Sequence, residues 1–198
     1  DKHIVICHLG NGSSICAVKG GQSMDTSMGF SALDGLPMGT RTGSLDPGVI
    51  LYLMREKQMG LEALEDLLYK QSGLLGVSGL SNDMKVLQES DDPQAAKAVE
   101  LFCFRVAKEV AALASSMGGL DALVFTAGIG ENSPQIRAMI SERLAWLVVS
   151  IDAGANARKA YDISGPDSRV PVFVVPTNEE MMIAKHTINV LGQMMGNA

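Results

Sequence analysis

The sequence predicts an α/β protein built around one mixed sheet with helices on its faces. Three observations support this fold class. The chain opens with three short strands separated by glycine turns, its second half alternates strands with helices, and one buried strand breaks into glycines before a new helix. With 198 residues, 46% of them hydrophobic and 19% charged, the chain can bury the core of one large domain or two small ones.

The composition argues against several classes of function. The net charge is −6 and no basic patch stands out, so we expect no nucleic-acid partner. No apolar run is long enough to cross a bilayer, and the chain enters a strand directly, so we expect neither a membrane segment nor a signal peptide. The three cysteines are too widely spaced for a disulfide framework or a zinc site. These features predict a cytoplasmic protein.

The chain begins with a predicted antiparallel meander. Its strands cover residues 4–9, 13–19 and 22–27, and glycine turns join them. The tip of the first hairpin, His8 to Ser14, holds two glycines, an amide, an imidazole and two hydroxyls, which can all donate hydrogen bonds to anionic oxygens. An ordinary type I′ turn with a histidine at the strand end explains these residues about equally well.

A long glycine-rich loop follows at residues 28–47. Its apolar residues predict that it is packed: Phe30, Leu33, Leu36 and Met38. Arg41 is the only cation in the loop, and its small neighbours leave room for bidentate contact with a phosphate or carboxylate. A salt bridge to Asp34 or Asp46 is the alternative role for this arginine.

Apolar spacing and capping residues predict the helices. They cover residues 47–57, 61–69, 94–117, 134–144, 152–159 and 177–191, with a short helical turn after 82–85. Residues 94–117 are apolar around most of the helix, which predicts the core helix, with Phe102 and Phe104 both inside. We expect turns at 72–81, a strand or buried loop at 146–149, and a buried strand at 170–175.

Some residues fit a structural role and a functional role. Asp83 suits a ribose hydroxyl or a helix N-cap. Thr177 and Glu180 match a capping box at the start of the last helix. Glu179 then has no assigned role beside the carboxyl end of a strand, where α/β sites form, although a carboxylate near a helix N-terminus is favourable by itself.

The stretch 120–133 organises the rest of the chain. We expect a buried strand at 122–126, a glycine loop at 127–132 and a helix that starts with Ser133 as N-cap and Pro134 in the first turn. Glycines allow a ligand to approach the backbone, and the first helical amides are free donors, so the stretch predicts a site for a phosphate-bearing ligand. Turn geometry alone also explains the glycines.

Taken together, the glycine-rich stretches resemble the acetate kinase family. They are His8 to Ser14, Asp25 to Phe30 with Met38 to Gly43, Phe125 to Ser133, and Val175 to Glu180. The resemblance implies the actin-like ATPase (ribonuclease H-like) fold, with a three-strand antiparallel meander, then parallel strands, and helices on both faces. It covers only the C-terminal half of the family. Residues 1–198 are then one C-terminal nucleotide-binding domain, and the absent N-terminal domain holds the catalytic carboxylate.

The resemblance also implies an activity. The family transfers a phosphoryl group reversibly between ATP and a short-chain carboxylate such as acetate, with Mg²⁺ or Mn²⁺, and its members are homodimers. This chain alone is then expected to be inactive. Two alternatives stay open, a propionate kinase and a non-catalytic, nucleotide-binding interaction module of the same fold.

The family's functional residues carry over onto matching positions. Arg41 matches the arginine that stabilises the transferring phosphoryl group, His8 and Asn11 match phosphate-contacting residues, and Glu179 matches a magnesium-site glutamate. The implied nucleotide-binding residues are His8, Leu9, Gly10, Asn11, Gly12, Asp83, Met84, Lys85, Gly128, Ile129, Gly130, Glu131 and Asn132. Three positions depart from the family: Lys85, Ser44 and Val148 stand where arginine, an acidic residue and glycine are common.

Overall fold

A five-stranded mixed sheet forms the centre of the protein. The structure, a computed structural model, describes residues 2–196 apart from the side chains of Glu179 and of residues 193–196. The strands are β1 (His3–Leu9), β2 (Ser13–Lys19), β3 (Gln22–Thr26), β4 (Ala122–Thr126) and β5 (Val172–Val174), in the spatial order β3-β2-β1-β4-β5. β1, β2 and β3 pair antiparallel, whereas β4 runs parallel to β1 and β5 parallel to β4. The predicted meander and mixed sheet are confirmed.

The pairing of β1 with β4 joins the two ends of the fold. Its register runs from Ile4 opposite Ala122 to His8 opposite Thr126. At the start of the pair, Asp121 Oδ2 accepts the His3 amide at 2.8 Å, and the Asp121 amide donates to the His3 carbonyl at 2.7 Å. Because the strands are parallel, the glycine-rich stretches that follow them emerge at the same edge of the sheet.

Helices follow the strands and loops of the described chain, and most of them begin beside a capping side chain. They are α1 (Pro47–Glu56), α2 (Leu61–Lys70), α3 (Gly73–Ser78), α4 (Met84–Gln88), α5 (Pro93–Met117), α6 (Ala127–Asn132), α7 (Pro134–Arg143), α8 (Ala153–Ala157) and α9 (Glu179–Gly196). Side chains cap six of them through backbone amides in the first turn: Asp46, Asp83, Asp92, Ser133, Asp152 and, for α9, Asn178. None of the described helices is both long and apolar enough to span a membrane.

One face of the sheet carries the core. Side chains of α5 such as Phe102 and Val106 are buried with Cys7, Ile15 and Leu123 from the strands. On the opposite face the alternating strand residues are only half-buried: Ile4, Ile6, Cys16, Val18 and Val124. The prediction that α5 is buried all round was wrong in part, because Phe104 is 49% exposed.

The two glycine turns of the meander differ. Gly20 and Gly21 have φ angles of 57° and 81°, as a two-residue type I′ turn requires. The first hairpin instead has a three-residue loop, residues 10–12, in which the Gly10 amide donates to the Gly12 carbonyl at 3.1 Å. None of these three described residues has a positive φ, so the type I′ alternative for this tip was wrong.

Other local predictions were also wrong. Residues 73–78 form α3 and not a turn, because Leu74 is buried and the amides of Leu74 and Leu75 bond carbonyls of the preceding loop. Residues 145–147 form a 3₁₀ turn that leaves Trp146 69% exposed. The loop 28–47 buries Leu36 and Met38, as expected, but Phe30 projects fully into solvent.

The predicted capping box of the last helix does not form. Thr177 bonds outside its own helix, with Thr126 Oγ1 at 2.6 Å and the Ala127 amide at 3.1 Å. Asn178 Oδ1 instead accepts the Met181 amide at 3.0 Å, the bond of an N-cap. A long-range partner on β4 has therefore taken the Thr177 hydroxyl away from the local motif.

Val148 has a strained backbone conformation that glycine would adopt without strain. Its φ of 59° and ψ of 35° lie in the left-handed region, which a β-branched residue rarely adopts. We expect Val148→Gly to stabilise the protein by about 1 kcal/mol, measured by urea unfolding. Val149→Gly is the matched control, because Val149 is buried and its loss should lower stability. A lower unfolding midpoint for Val148→Gly would contradict the strain.

Candidate functional site

A cavity lies at the edge of the sheet where β1 and β4 end. Its volume is about 940 Å³, and it extends between the first hairpin, α4, α6 and the start of α7. Eight of the predicted nucleotide-binding residues line it: Gly10, Asn11, Asp83, Met84, Lys85, Gly128, Ile129 and Asn132. Segments that are far apart in sequence thus meet at one concave surface, within the size range of small-molecule sites.

A second cavity of about 440 Å³ continues from Gly128 towards the last helix. His8 and Glu131 line it, together with Asn178 and Glu180. Gly128 borders both cavities, so the imidazole of His8 lies beside the larger cavity and not in it. The donor set around the second cavity, carboxylates with an amide, is of the type that hard divalent cations prefer.

Among the predicted site residues whose side chains the structure describes, four line neither cavity. Leu9 is fully buried in the core, so only its backbone can face a ligand. Gly130 is also buried, and a Cβ there would lie 3.4 Å from the Phe125 carbonyl carbon. Gly12 is exposed at the hairpin tip. Arg41 is half-buried in its loop.

The Arg41 loop reaches the site through its backbone. The Gly39 amide donates to the Asn11 carbonyl at 3.1 Å, and a Cβ at Gly39 would overlap the Asn11 side chain. Arg41 itself donates from Nη1 to the Ala32 carbonyl at 3.2 Å. Within the described chain it makes no ion pair, so the proposed salt bridge to Asp34 or Asp46 does not form. Nη1 also donates to Met38 Sδ at 3.6 Å, which leaves Nε and Nη2 without an acceptor in the described chain.

The predicted glycine loop is a one-turn helix, α6, held by side chains. Arg137 is fully buried and donates to the carbonyls of Gly130 and Glu131, at 2.8 and 2.9 Å. It also donates to the side chain and carbonyl of Asn156, each at 2.8 Å. Burial lowers the pKa of this guanidinium, and no carboxylate lies against it among the described residues. Arg137 therefore satisfies the end of α6 with neutral acceptors.

Two of the predicted ligand side chains are used inside α6. Asn132 donates to the Gly128 carbonyl at 2.9 Å and accepts from Lys159 Nζ at 2.9 Å. Glu131 accepts the Ala127 amide at 2.9 Å. What α6 offers to the larger cavity is therefore mainly the surface of Gly128 and Ile129. A Cβ at Gly128 would have open space around it, so a larger side chain there would occupy the cavity.

Sequence reasoning missed one wall of the cavity. Gln88 donates to Ser133 Oγ at 2.9 Å and to Gln135 Oε1 at 2.8 Å, and all three residues line the cavity. Ser133 had only been assigned as an N-cap, a role it also fills by accepting the Ile136 amide. The spacing of Gln88 four residues after Met84 on α4 was the available signal.

The start of α4 forms one side of the larger cavity. Asp83 Oδ1 accepts the Lys85 amide at 2.8 Å, so it is an N-cap, yet Asp83 still lines the cavity. Lys85 extends into solvent, with its Nζ 3.9 Å from Glu89 Oε1, a weak exposed pair.

Glu179 begins α9, but its side chain lies outside the described part of the structure.

Comparison with known sequences identifies one family. The sequence model of the acetokinase family matches residues 1–185. An acetate kinase of Nitrobacter hamburgensis is 56% identical over 188 residues, which are 95% of this chain and 46% of the relative. An acetate kinase of Rickettsia felis is 51% identical over 94% of this chain and 49% of the relative. The chain thus spans about half the length of the curated relatives it matches.

Solved structures give the same result. The acetate kinase of Porphyromonas gingivalis superposes with a TM-score of 0.91 at 39% identity, over 96% of this chain and 49% of that one. A propionate kinase of Francisella tularensis superposes with a TM-score of 0.88 at 44% identity, over 93% of this chain and 48% of that one. Both matches cover more than nine-tenths of this chain.

The buried Arg137 gives a stability prediction. We expect Arg137→Met to lower the free energy of unfolding by about 3 kcal/mol, because it leaves buried carbonyls of α6 without donors. Arg143→Ala on the same helix is the matched control, because its exposed pair with Glu100 should contribute under about 1 kcal/mol. Urea unfolding measures both, and equal losses would show that Arg137 does not hold α6.

Proposed function

The chain belongs to the acetokinase family and has the actin-like ATPase fold of the acetate kinases it matches, and on this premise we propose that it is the nucleotide-binding half of an acetate kinase. The reaction is reversible transfer of the γ-phosphoryl group of ATP to acetate, giving acetyl phosphate and ADP. One observation carries the proposal: the segments predicted to contact phosphates and nucleoside converge on one cavity of about 940 Å³. That volume suits a nucleotide.

The proposed roles follow from where the residues lie. Gly128 and Asn11 border the cavity at the end of the parallel strands, where their small surface and amide let phosphates approach the backbone. Asp83 and Lys85 line the same cavity from the start of α4, where they would contact the nucleoside. His8 faces the second cavity, where it can donate a hydrogen bond to the terminal phosphate oxygens.

Arg41 is the proposed stabiliser of the transferring group. Phosphoryl transfer requires in-line positioning and neutralisation of charge on the equatorial oxygens more than covalent help from the protein. Arg41 keeps guanidinium donors free of carboxylates in the described chain, and its loop is anchored to Asn11 through Gly39. A rearrangement of its side chain from the Ala32 carbonyl would bring it towards the phosphates.

Magnesium is the proposed cation. The carboxylate and amide donors around the second cavity fit its preference for oxygen ligands, and Glu179 at the start of α9 is the residue that we propose to hold it. When bound, the cation would neutralise charge on the nucleotide phosphates. Manganese would be accepted by the same donors.

We further propose that another domain completes the site. The described side chains of α9 are exposed along the helix, including Met181, Ile183 and Ile188. Together with the half-buried outer face of the sheet, they form an apolar surface. This surface is suited to packing against a domain that corresponds to the other half of the relatives. The acetate pocket and catalytic carboxylate would lie there, the complete protein would be a cytoplasmic homodimer, and this chain alone would be inactive.

A propionate kinase is the second candidate. The observation in its favour is the structural match to the Francisella tularensis propionate kinase, at 44% identity. The two reactions share the nucleotide half and differ in the acyl pocket, so turnover of acetate against propionate by the complete protein distinguishes them.

Nucleotide binding can be tested on this chain. We expect calorimetric titration with Mg·ADP to show saturable binding, and Gly128→Trp to abolish it, because the indole would fill the cavity that Gly128 borders. Gly60→Trp is the matched control: Gly60 is an exposed residue with φ of −78° that lines neither cavity, so binding should persist. Equal binding by both variants would place the nucleotide elsewhere.

Turnover tests the role of Arg41. In the complete two-domain protein we expect Arg41→Ala to lower kcat by about 10³-fold while Mg·ADP affinity changes little, because the lost charge acts mainly in the transition state. Arg55→Ala, which removes an exposed arginine at the end of α1, should leave kcat within about twofold. An Arg41→Ala enzyme with unaltered kcat would refute the assignment.

A further inference from the structure

Glu131 joins two parts of the site that are far apart in sequence. Its Oε1 accepts two backbone amides, that of Ala127 at 2.9 Å and that of Thr177 at 2.8 Å. Ala127 is the first residue of α6, and Thr177 lies in the turn between β5 and α9. One carboxylate oxygen therefore bridges the helix at the nucleotide cavity and the segment that leads into the last helix.

A second set of bonds strengthens the same junction. Thr177 Oγ1 lies 2.6 Å from Thr126 Oγ1 and accepts the Ala127 amide at 3.1 Å. Immediately after Thr177, Asn178 caps α9 by accepting the Met181 amide at 3.0 Å. The position at which α9 begins is therefore linked through two residues to the first turn of α6.

The junction holds a strained backbone. Ala127 has a φ of 65°, in the left-handed region that a residue with a Cβ rarely occupies, and its side chain is buried. Such a conformation persists only where its surroundings fix it. The Ala127 amide is shared between Glu131 and Thr177, which are the only described side chains that accept it. These bonds thus set the direction in which β4 leads into α6.

A carboxylate is a poor direct contact for a nucleotide phosphate. Glu131 borders the second cavity, beside Gly128, and like charges repel each other at this range. By contrast, one oxygen of Glu131 already accepts two backbone amides. Its acceptor geometry therefore explains Glu131 better than contact with the ligand does.

From this geometry we propose that Glu131 is a positioning residue that couples the nucleotide-binding helix α6 to the start of α9. Nucleotide held against α6 and magnesium held at the start of α9 would then favour each other's binding, because the same bridge fixes both elements. The inference rests on the proposed function and deepens it, since it gives Glu131 a role that is not ligand contact.

Three substitutions separate geometry from charge. Glu131→Gln keeps an oxygen acceptor of the same reach without the charge, Glu131→Asp keeps the charge with a shorter reach, and Glu131→Ala removes both. We expect Glu131→Gln to behave like the parent, and the other two to lose the bridge. Glu142→Ala, at an exposed carboxylate of α7, is the matched control for removal of one negative charge.

The first measurement is amide exchange, which requires no nucleotide. We expect the Ala127 and Thr177 amides to exchange about tenfold faster in Glu131→Ala and Glu131→Asp than in Glu131→Gln. The reason is that these two variants lose the hydrogen bonds that the side chain at position 131 accepts. Unchanged exchange in Glu131→Asp and Glu131→Ala would overturn the bridge.

The second measurement is ADP affinity of this chain with and without Mg²⁺. We expect Mg²⁺ to tighten ADP binding to the parent and to Glu131→Gln, and this gain to fall about fivefold or more in Glu131→Asp. If a variant weakened ADP binding equally with and without Mg²⁺, the cause would be general destabilisation. That result would overturn the coupling. A Glu131→Gln variant as impaired as Glu131→Ala would show that the charge itself contacts the ligand, and would also overturn it.

The two measurements distinguish the failure of this inference from that of the proposed function. A parent chain that binds no ADP, yet shows the expected exchange differences, would contradict nucleotide binding by this chain and leave the bridge intact. A parent that binds Mg·ADP, with equal exchange in all variants, would contradict the bridge alone.

Discussion

The parallel pairing of β1 with β4 is the constraint on which the site depends. The two strands are separated by more than a hundred residues in sequence, and their register places His8 opposite Thr126. Each strand therefore delivers its glycine-rich continuation to the same edge. β5 pairs parallel to β4 and delivers Thr177 beside them. The cavities follow from this order of strands, because the parallel strands β1, β4 and β5 all end at the same edge.

Once the strands are placed, side chains fix the backbone between them. α6 has few residues and contains glycines, so its intrinsic helical stability is low. Arg137 bonds its last carbonyls, Asn132 bonds Gly128, and Glu131 bonds its first amide. A short helix preorganised in this way would lose little conformational entropy if its backbone contacted a phosphate. The side chains of Glu131 and Asn132 use most of their hydrogen-bonding atoms in these contacts.

Some single residues in and around the cavity have more than one role. Asp83 caps α4 and borders the cavity at once, and Ser133 caps α7 while it bonds Gln88. A helix cap lies at the end of an element, which is also where α/β sites form, so both roles are compatible in one side chain. The alternatives that local patterns offer for such residues are therefore not exclusive.

The sequence by itself determined the opening meander, the strand at 122–126, the starts of the capped helices and the family, because turn chemistry, caps and glycine motifs are local signals. It did not determine that Thr177 would leave its capping box for Thr126, that Phe104 would face solvent, or that Glu131 would bridge Ala127 and Thr177. Those outcomes depend on which strands are neighbours and which face of α5 meets the sheet. Contacts between residues 46 or 51 positions apart are decided by tertiary packing, which local patterns do not encode.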